Sequence, residues 1–215
     1  LFSGERISAA VSGQVAIWGT KLSSGERYTE KLEIGGKPVT DAVAISAGRD
    51  HALILRADGS VLGWGQNLQG QTNTPVGLQN LIQVAAGMWF SLALDKDGNI
   101  SAWGGRRIEP DDVKDVIALS AGVRALALKR DGTVFSWDQT PGSLLKLTNI
   151  VAIASGGGQY ERNLALKSDG TVIAWGAGDV PAGLSNVTAI AVGEYHSLAL
   201  EQDGTVYGWG DNHCE

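Results

Sequence analysis

The sequence predicts an all-β fold, a β-propeller of about six small antiparallel blades, and three observations carry the prediction. Six phrases that end in Trp recur along the 215 residues, a Gly stands five residues before each of those Trp, and the stretches between the turns alternate with period two instead of 3.6. Composition agrees with this. Thirty Gly, seven Trp, 43% hydrophobic and 19% charged residues describe a compact, turn-rich chain and exclude a disordered or coiled one.

The phrases read GQVAIWG (13–19), DGSVLGWG (58–65), DGNISAWG (97–104), DGTVFSWD (131–138), DGTVIAWG (169–176) and DGTVYGWG (203–210). Upstream lies a second element, as in HALILRADG, SLALDKDG, ALALKRDG, NLALKSDG and SLALEQDG. A third precedes it and ends in Gly: VAISAG (43–48), IQVAAG (82–87), IALSAG (117–122), VAIASG (151–156) and TAIAVG (188–193). Each unit is therefore a three-stranded meander of roughly 34–46 residues. The first strand uses Ala and Ser beside Ile and Val, which suits an innermost strand where sheets crowd an axis. Asp-Gly between two alternating runs predicts a hairpin, expected as a type I′ turn with positive φ at both centres. The register Trp residues 18, 64, 103, 137, 175 and 209 are assigned to the space between adjacent sheets.

The units run approximately over 1–38, 39–80, 81–115, 116–149, 150–186 and 187–215, in one domain spanning 1–215. The first is clipped, because LFSG (1–4) supplies only the end of its inner strand, and no spare closing strand is visible. A propeller must close or leave edge strands open. Either six blades close directly or the chain is a segment of a longer protein; the absent initial Met and the abrupt stop at Glu215 favour the segment. Residues 20–41 are additional and charged, and YTEKLEI (28–34) before GGKPV reads as a short extra hairpin or an outer strand.

A net charge of −6 without a Lys/Arg run disfavours nucleic acid and anionic lipid as partners. No apolar run approaches the roughly 20 residues of a membrane-spanning helix. Cys214, the single cysteine, cannot form an internal disulfide. His51 and His196 hold equivalent repeat positions, so their rings are expected to hydrogen-bond backbone between strands instead of joining His213 in a metal site. Asp58, Asp97, Asp131, Asp169 and Asp203 each precede a turn Gly and are read as local hydrogen-bond acceptors, not as acid/base catalysts. No phosphate-binding loop, nucleophile elbow or dinucleotide fingerprint occurs. The expectation is a protein without enzymatic activity and without a cofactor.

Variation between the units is confined to the connection after the first strand, and in a propeller such connections emerge on one face. They carry Arg49, Asp50, Met88, Trp89, Phe90, Arg124, Tyr160, Glu161, Arg162, Glu194 and Tyr195, the predicted partner-binding residues. Aromatic and Arg side chains are the usual hot spots of protein interfaces. Trp89 alone among the Trp lies outside the register. Phe90 and Tyr195, beside the strands, have the alternative of tucking between blades.

The Ala-Gly strand end, two variable residues, His-Ser-Leu-Ala-Leu, Asp-Gly-Thr-Val and Trp-Gly together resemble the regulator of chromosome condensation repeat, most fully in VTAIAVGEYHSLALEQDGTVYGWGDN (187–212). The linkers GQTNTPVGLQN (70–80) and GDVPAGLSN (178–186) look like the short-linker bacterial version, which includes propeller inhibitors of β-lactamase. Asp138 departs from the pattern by replacing the Gly after Trp137, and the family commonly has seven blades. The resemblance implies the fold and leaves function open, since such propellers host several activities. A protein-binding module of inhibitor or adhesin type, using the variable face, is the leading expectation. A carbohydrate-binding propeller is the alternative, with guanine nucleotide exchange implied by family analogy alone. Low Lys, high Gly and the linkers lean towards an extracellular or cell-surface location.

Overall fold

A computed structural model describes residues 6–9, 15–20, 27–34, 37–105, 108, 113–137, 147–156, 160–176 and 178–211. Asp138, His213 and Cys214 lie outside the described residues. Every regular element among those described is a strand. Contacts group the chain into two compact units, residues 1–111 and 112–215.

The first unit holds β1 (Arg6–Ala9), β2 (Val15–Thr20) and β3 (Arg27–Lys31), the hairpin β4 (Glu33–Ile34) and β5 (Lys37–Pro38), then β6 (Ala42–Ala47), β7 (His51–Arg56) and β8 (Val61–Gly65), and β9 (Leu81–Ala86), β10 (Phe90–Asp95) and β11 (Ile100–Gly104). The second holds β12 (Val116–Ala121), β13 (Ala125–Lys129) and β14 (Val134–Ser136), β15 (Ile150–Gly156), β16 (Arg162–Lys167) and β17 (Val172–Gly176), and β18 (Val187–Val192), β19 (His196–Glu201) and β20 (Val206–Gly210). They form six three-stranded sheets and one two-stranded hairpin, each sheet paired antiparallel in chain order. The fold is all-β and its sheets are propeller blades. In the first sheet β1 and β2 are the middle and Trp strands, and β3, drawn from the 20–41 insertion, adds the outer edge. That insertion therefore supplies both an outer strand and a hairpin.

The Asp-Gly turns are not type I′. In the second sheet Gly59 N–H donates to Arg56 O and Arg56 N–H to Ser60 O, a three-residue loop in which Gly59 has positive φ and Asp58 does not. The same pair of bonds recurs at Gly98, Gly132, Gly170 and Gly204. This is a type I turn closed by a left-handed Gly, whose extra residue lets an ordinary residue and Asp take right-handed angles and asks positive φ only of Gly. Asp then serves as acceptor: the Oδ1 atoms of Asp58, Asp131, Asp169 and Asp203 take the N–H two residues on, at 2.8–3.0 Å. In the third sheet Asp95, not Asp97, accepts these bonds.

Every complete inner strand starts with a bulge that inserts one residue: Val43, Ile82, Ile117, Val151 or Thr188. In four of the five sheets the residue before the strand, Asn80, Asp115, Asn149 or Asn186, has φ between 51° and 61°, a conformation that Asn and Asp tolerate better than other side-chain-bearing residues. At the strand's far end Gly is required by close approach, since a Cβ on Gly122 would stand 2.6 Å from Gly156 N in the following sheet.

Alternation along the middle strands divides their side chains between two neighbours. Leu53, Leu55 and Val61 pack on Val84, Ala86, Ala93 and Trp103 of the following sheet, while Ile54 points the other way, onto Val15, Leu32 and Val39. In the second unit Leu128 and Val134 meet Ala165, with Trp175 alongside, and Leu164, Leu166 and Val172 meet Val187 and Ala199, with Trp209 alongside. Of the register Trp whose side chains are described, Trp103 is buried; Trp64, Trp137, Trp175 and Trp209 are only partly so. Trp64, Trp103, Trp175 and Trp209 do pack on the clusters between sheets, as assigned, but most are covered only in part. The Trp strand is the outer strand of a three-stranded sheet, so a ring there is covered on one side and meets solvent at its rim.

Candidate functional site

In the first unit the connections at 49–50 and 88–89 are two-residue loops, closed by Gly48 N–H to His51 O and Gly87 N–H to Phe90 O. Arg49 N–H donates to Gly87 O and ties one loop to the next. The Arg49 guanidinium lies 3.8 Å from Met88 Sδ and 3.6 Å from the Asp50 carboxylate. Trp89 is 46% exposed, whereas Met88 is 7% exposed and Phe90 buried, so neither presents a surface to a partner. Phe90 is inside instead because its ring lies over Gly87, where a Cβ would collide with it.

Beneath these loops lies a buried polar network. Ser91 Oγ donates to Gln71 O at 2.7 Å, Trp103 Nε1 donates to the same oxygen at 2.9 Å, and His51 Nε2 stands 2.9 Å from Ser91 Oγ. With the Ser91 proton given to Gln71 O, the His51 ring is the donor of its pair. Burial pushes the His51 ring down to about 4, against a smaller upward pull from the Phe90 backbone. The His51 ring thus meets both the expected backbone, at Phe90, and a side chain of the next sheet, Ser91.

In the second unit Arg124 Nε lies 2.9 Å from Glu161 Oε2, and Glu161 Oε1 accepts from Asn163 Nδ2 at 2.7 Å. Tyr160, Glu194 and Tyr195 are exposed. Arg162 is partly exposed, and its Nε and Nη1 are shut off from solvent without an acceptor. His196, at the position of His51, lies against Gly193. The turn carboxylates of Asp58 and Asp131 are held below the usual range chiefly by side-chain hydrogen bonds from Ser60 and Thr133, and those of Asp169 and Asp203 chiefly by the backbone N–H of Thr171 and Thr205, which suits acceptors rather than proton carriers. Among the described residues no group of three or more His, Cys, Asp or Glu is placed to hold a metal ion.

Sequence reasoning missed Gln71 and Ser91, which carry the network, and the Asn/Asp residues before the inner strands. The last had a signal: Asp41, Asn80, Asp115, Asn149 and Asn186 all stand one residue before an inner strand. Gln71 had none, because its contribution is a backbone carbonyl.

The Regulator of chromosome condensation (RCC1) repeat matches residues 42–71 and 187–215, the second sheet and the last. Two stretches of the chain thus match the RCC1 repeat. Protein pim1 of Schizosaccharomyces pombe is 28% identical over 62% of this chain and 33% of its own length, and the guanine nucleotide exchange factor SRM1 of Saccharomyces cerevisiae is 28% identical over 43% and 24%. The chain spans a third or less of the length of these curated relatives. Among solved structures, the ectodomain of the Physcomitrella patens receptor kinase CR4 superposes with a TM-score of 0.69 at 17% identity, covering 96% of this chain and 62% of that one. Human WBSCR16 superposes with a TM-score of 0.65 at 18% identity, covering 99% and 79%. The CR4 ectodomain and WBSCR16 share this chain's fold.

Proposed function

We propose that the chain is a non-enzymatic protein-binding module that engages its partner through the connections following the inner strands. The observation that carries this is Trp89: half in solvent, it projects from a two-residue loop whose neighbours Met88 and Phe90 are buried, with Arg49 beside Met88. A large aromatic held on a short rigid loop loses little entropy on binding, and Trp and Arg dominate interface hot spots. In the second unit Tyr160 and Tyr195 stand on the equivalent connections. An inhibitor- or adhesin-like role outside the cell or on its surface fits the acidic, Lys-poor composition and the short linkers. Exchange-factor activity would rest on likeness to SRM1 alone, of which the chain covers 24%.

The test is capture of the partner from the native source by the intact chain, followed by affinity measurement with Trp89→Ala. Loss of a central aromatic anchor should weaken binding by about 2–4 kcal/mol. Unchanged affinity per folded molecule would remove Trp89, and with it this surface, from the reading.

A further inference from the structure

Arg124 and Arg162 occupy one repeat position, each two residues before the first buried Leu of a middle strand, Leu126 and Leu164. Arg124 finds its counter-charge in Glu161, the residue just before β16. The corresponding residue of the next sheet, just before β19, is Tyr195, which carries no carboxylate. Accordingly Arg162 Nε and Nη1 are buried without an acceptor. The sixth sheet adds two more unpaired buried donors, Ser197 Oγ and Trp209 Nε1, on cross-strand partner residues. Their equivalents in the third sheet, Ser91 and Trp103, both donate to Gln71 O. Among the described residues, the junction of the fifth and sixth sheets therefore leaves Arg162 Nε and Nη1, Ser197 Oγ and Trp209 Nε1 without an acceptor. Gly178 leaves the guanidinium its room, since a Cβ there would collide with Arg162 Nη1.

We propose that this junction binds a carboxylate from outside the chain, which takes with Arg162 the part that Glu161 takes with Arg124. A water molecule would accept hydrogen bonds but leave the charge uncompensated. A carboxylate supplies both the charge and two acceptor oxygens, and charge-assisted bonds of this kind are roughly twice as strong as neutral ones. The proposal rests on the unpaired donors around Arg162 and not on the protein-binding reading.

The probe is formate, small enough to enter beside a side chain. Thermal melts and calorimetric titrations are run in sodium formate and in sodium chloride of equal ionic strength, on the intact chain, on Arg162→Met and on Tyr195→Glu. The unaltered chain should gain about 2–4 °C in formate over chloride, saturably. Arg162→Met should show no difference between the salts. Tyr195→Glu, which restores a carboxylate to the position of Glu161, should melt higher in chloride and no longer respond to formate. The proposal is overturned if the unaltered chain shows no formate-specific gain, if Arg162→Met gains equally, or if Tyr195→Glu melts lower and still responds. Should Arg162→Met fail to fold, Tyr195→Glu decides alone.

Discussion

The fifth and sixth sheets are nearly the same sequence in different surroundings. Leu164, Leu166 and Val172 of the fifth are buried, whereas Leu198, Leu200 and Val206, their register equivalents in the sixth, are 39%, 37% and 61% exposed. On the reverse side of the sixth sheet Val187 and Ala199 are buried, because the fifth sheet covers them. Burial in a repeat fold thus belongs to the neighbour and not to the residue. A Leu-Ala-Leu phrase says which way each side chain points and leaves open whether anything lies there.

Substitutions at matched positions put this to the test. Leu164→Ala should cost about 3–5 kcal/mol, transfer and cavity terms together. Leu198→Ala, with no cavity to create, should cost about 1 kcal/mol. Urea denaturation of the pair decides it, and equal losses would mean that the sixth sheet is covered in solution. A second contrast concerns acid. Unfolded His51 titrates near 6.5 and the folded ring near 4, so between those values the unfolded chain binds more protons. Stability is complete above about pH 6.5 and should fall by about 2 kcal/mol between pH 7 and pH 5. His51→Phe, which installs the residue that Phe90 already places at this position one sheet on, should flatten that part of the profile. The smallest effect belongs to Trp89→Ala, which should lower stability by under about 1 kcal/mol because half of the ring is already in water. A much larger fall in the melt would identify Trp89 as a core residue.

The parts of this fold that were legible in the sequence are those written in side chains at fixed offsets. Strand order, the Asp acceptors in the turns and the outward course of Trp89 all follow from period-two alternation and from Gly placed relative to Trp. The turn type was misjudged because Asp-Gly suits both a two-residue and a three-residue loop, and the choice lies in the residue before Asp, such as Ala57, which names neither. Met88 was placed on the surface because variation between repeats marks it as a loop residue, and Phe90, left open between surface and interior, goes inside because Gly87 makes space for its ring below the loop. The unpaired Arg162 was invisible for another reason. It emerges only when Tyr195 is set beside Glu161 in three dimensions, one sheet out of step.

Every sheet here pairs only strands adjacent in the chain, so forming one requires closing a short loop and nothing longer. Loop-closure entropy is what slows most β-proteins, and a meander avoids much of it. Each blade is therefore a local folding nucleus in its own right. The three-residue turns, with Gly already suited to positive φ and Asp already bonded to the next strand, are the first places where the backbone can reverse. On hydrogen exchange, the amides flanking Gly98, Gly132 and Gly170 should gain protection early in refolding, ahead of the Leu side chains that later lock one sheet to the next.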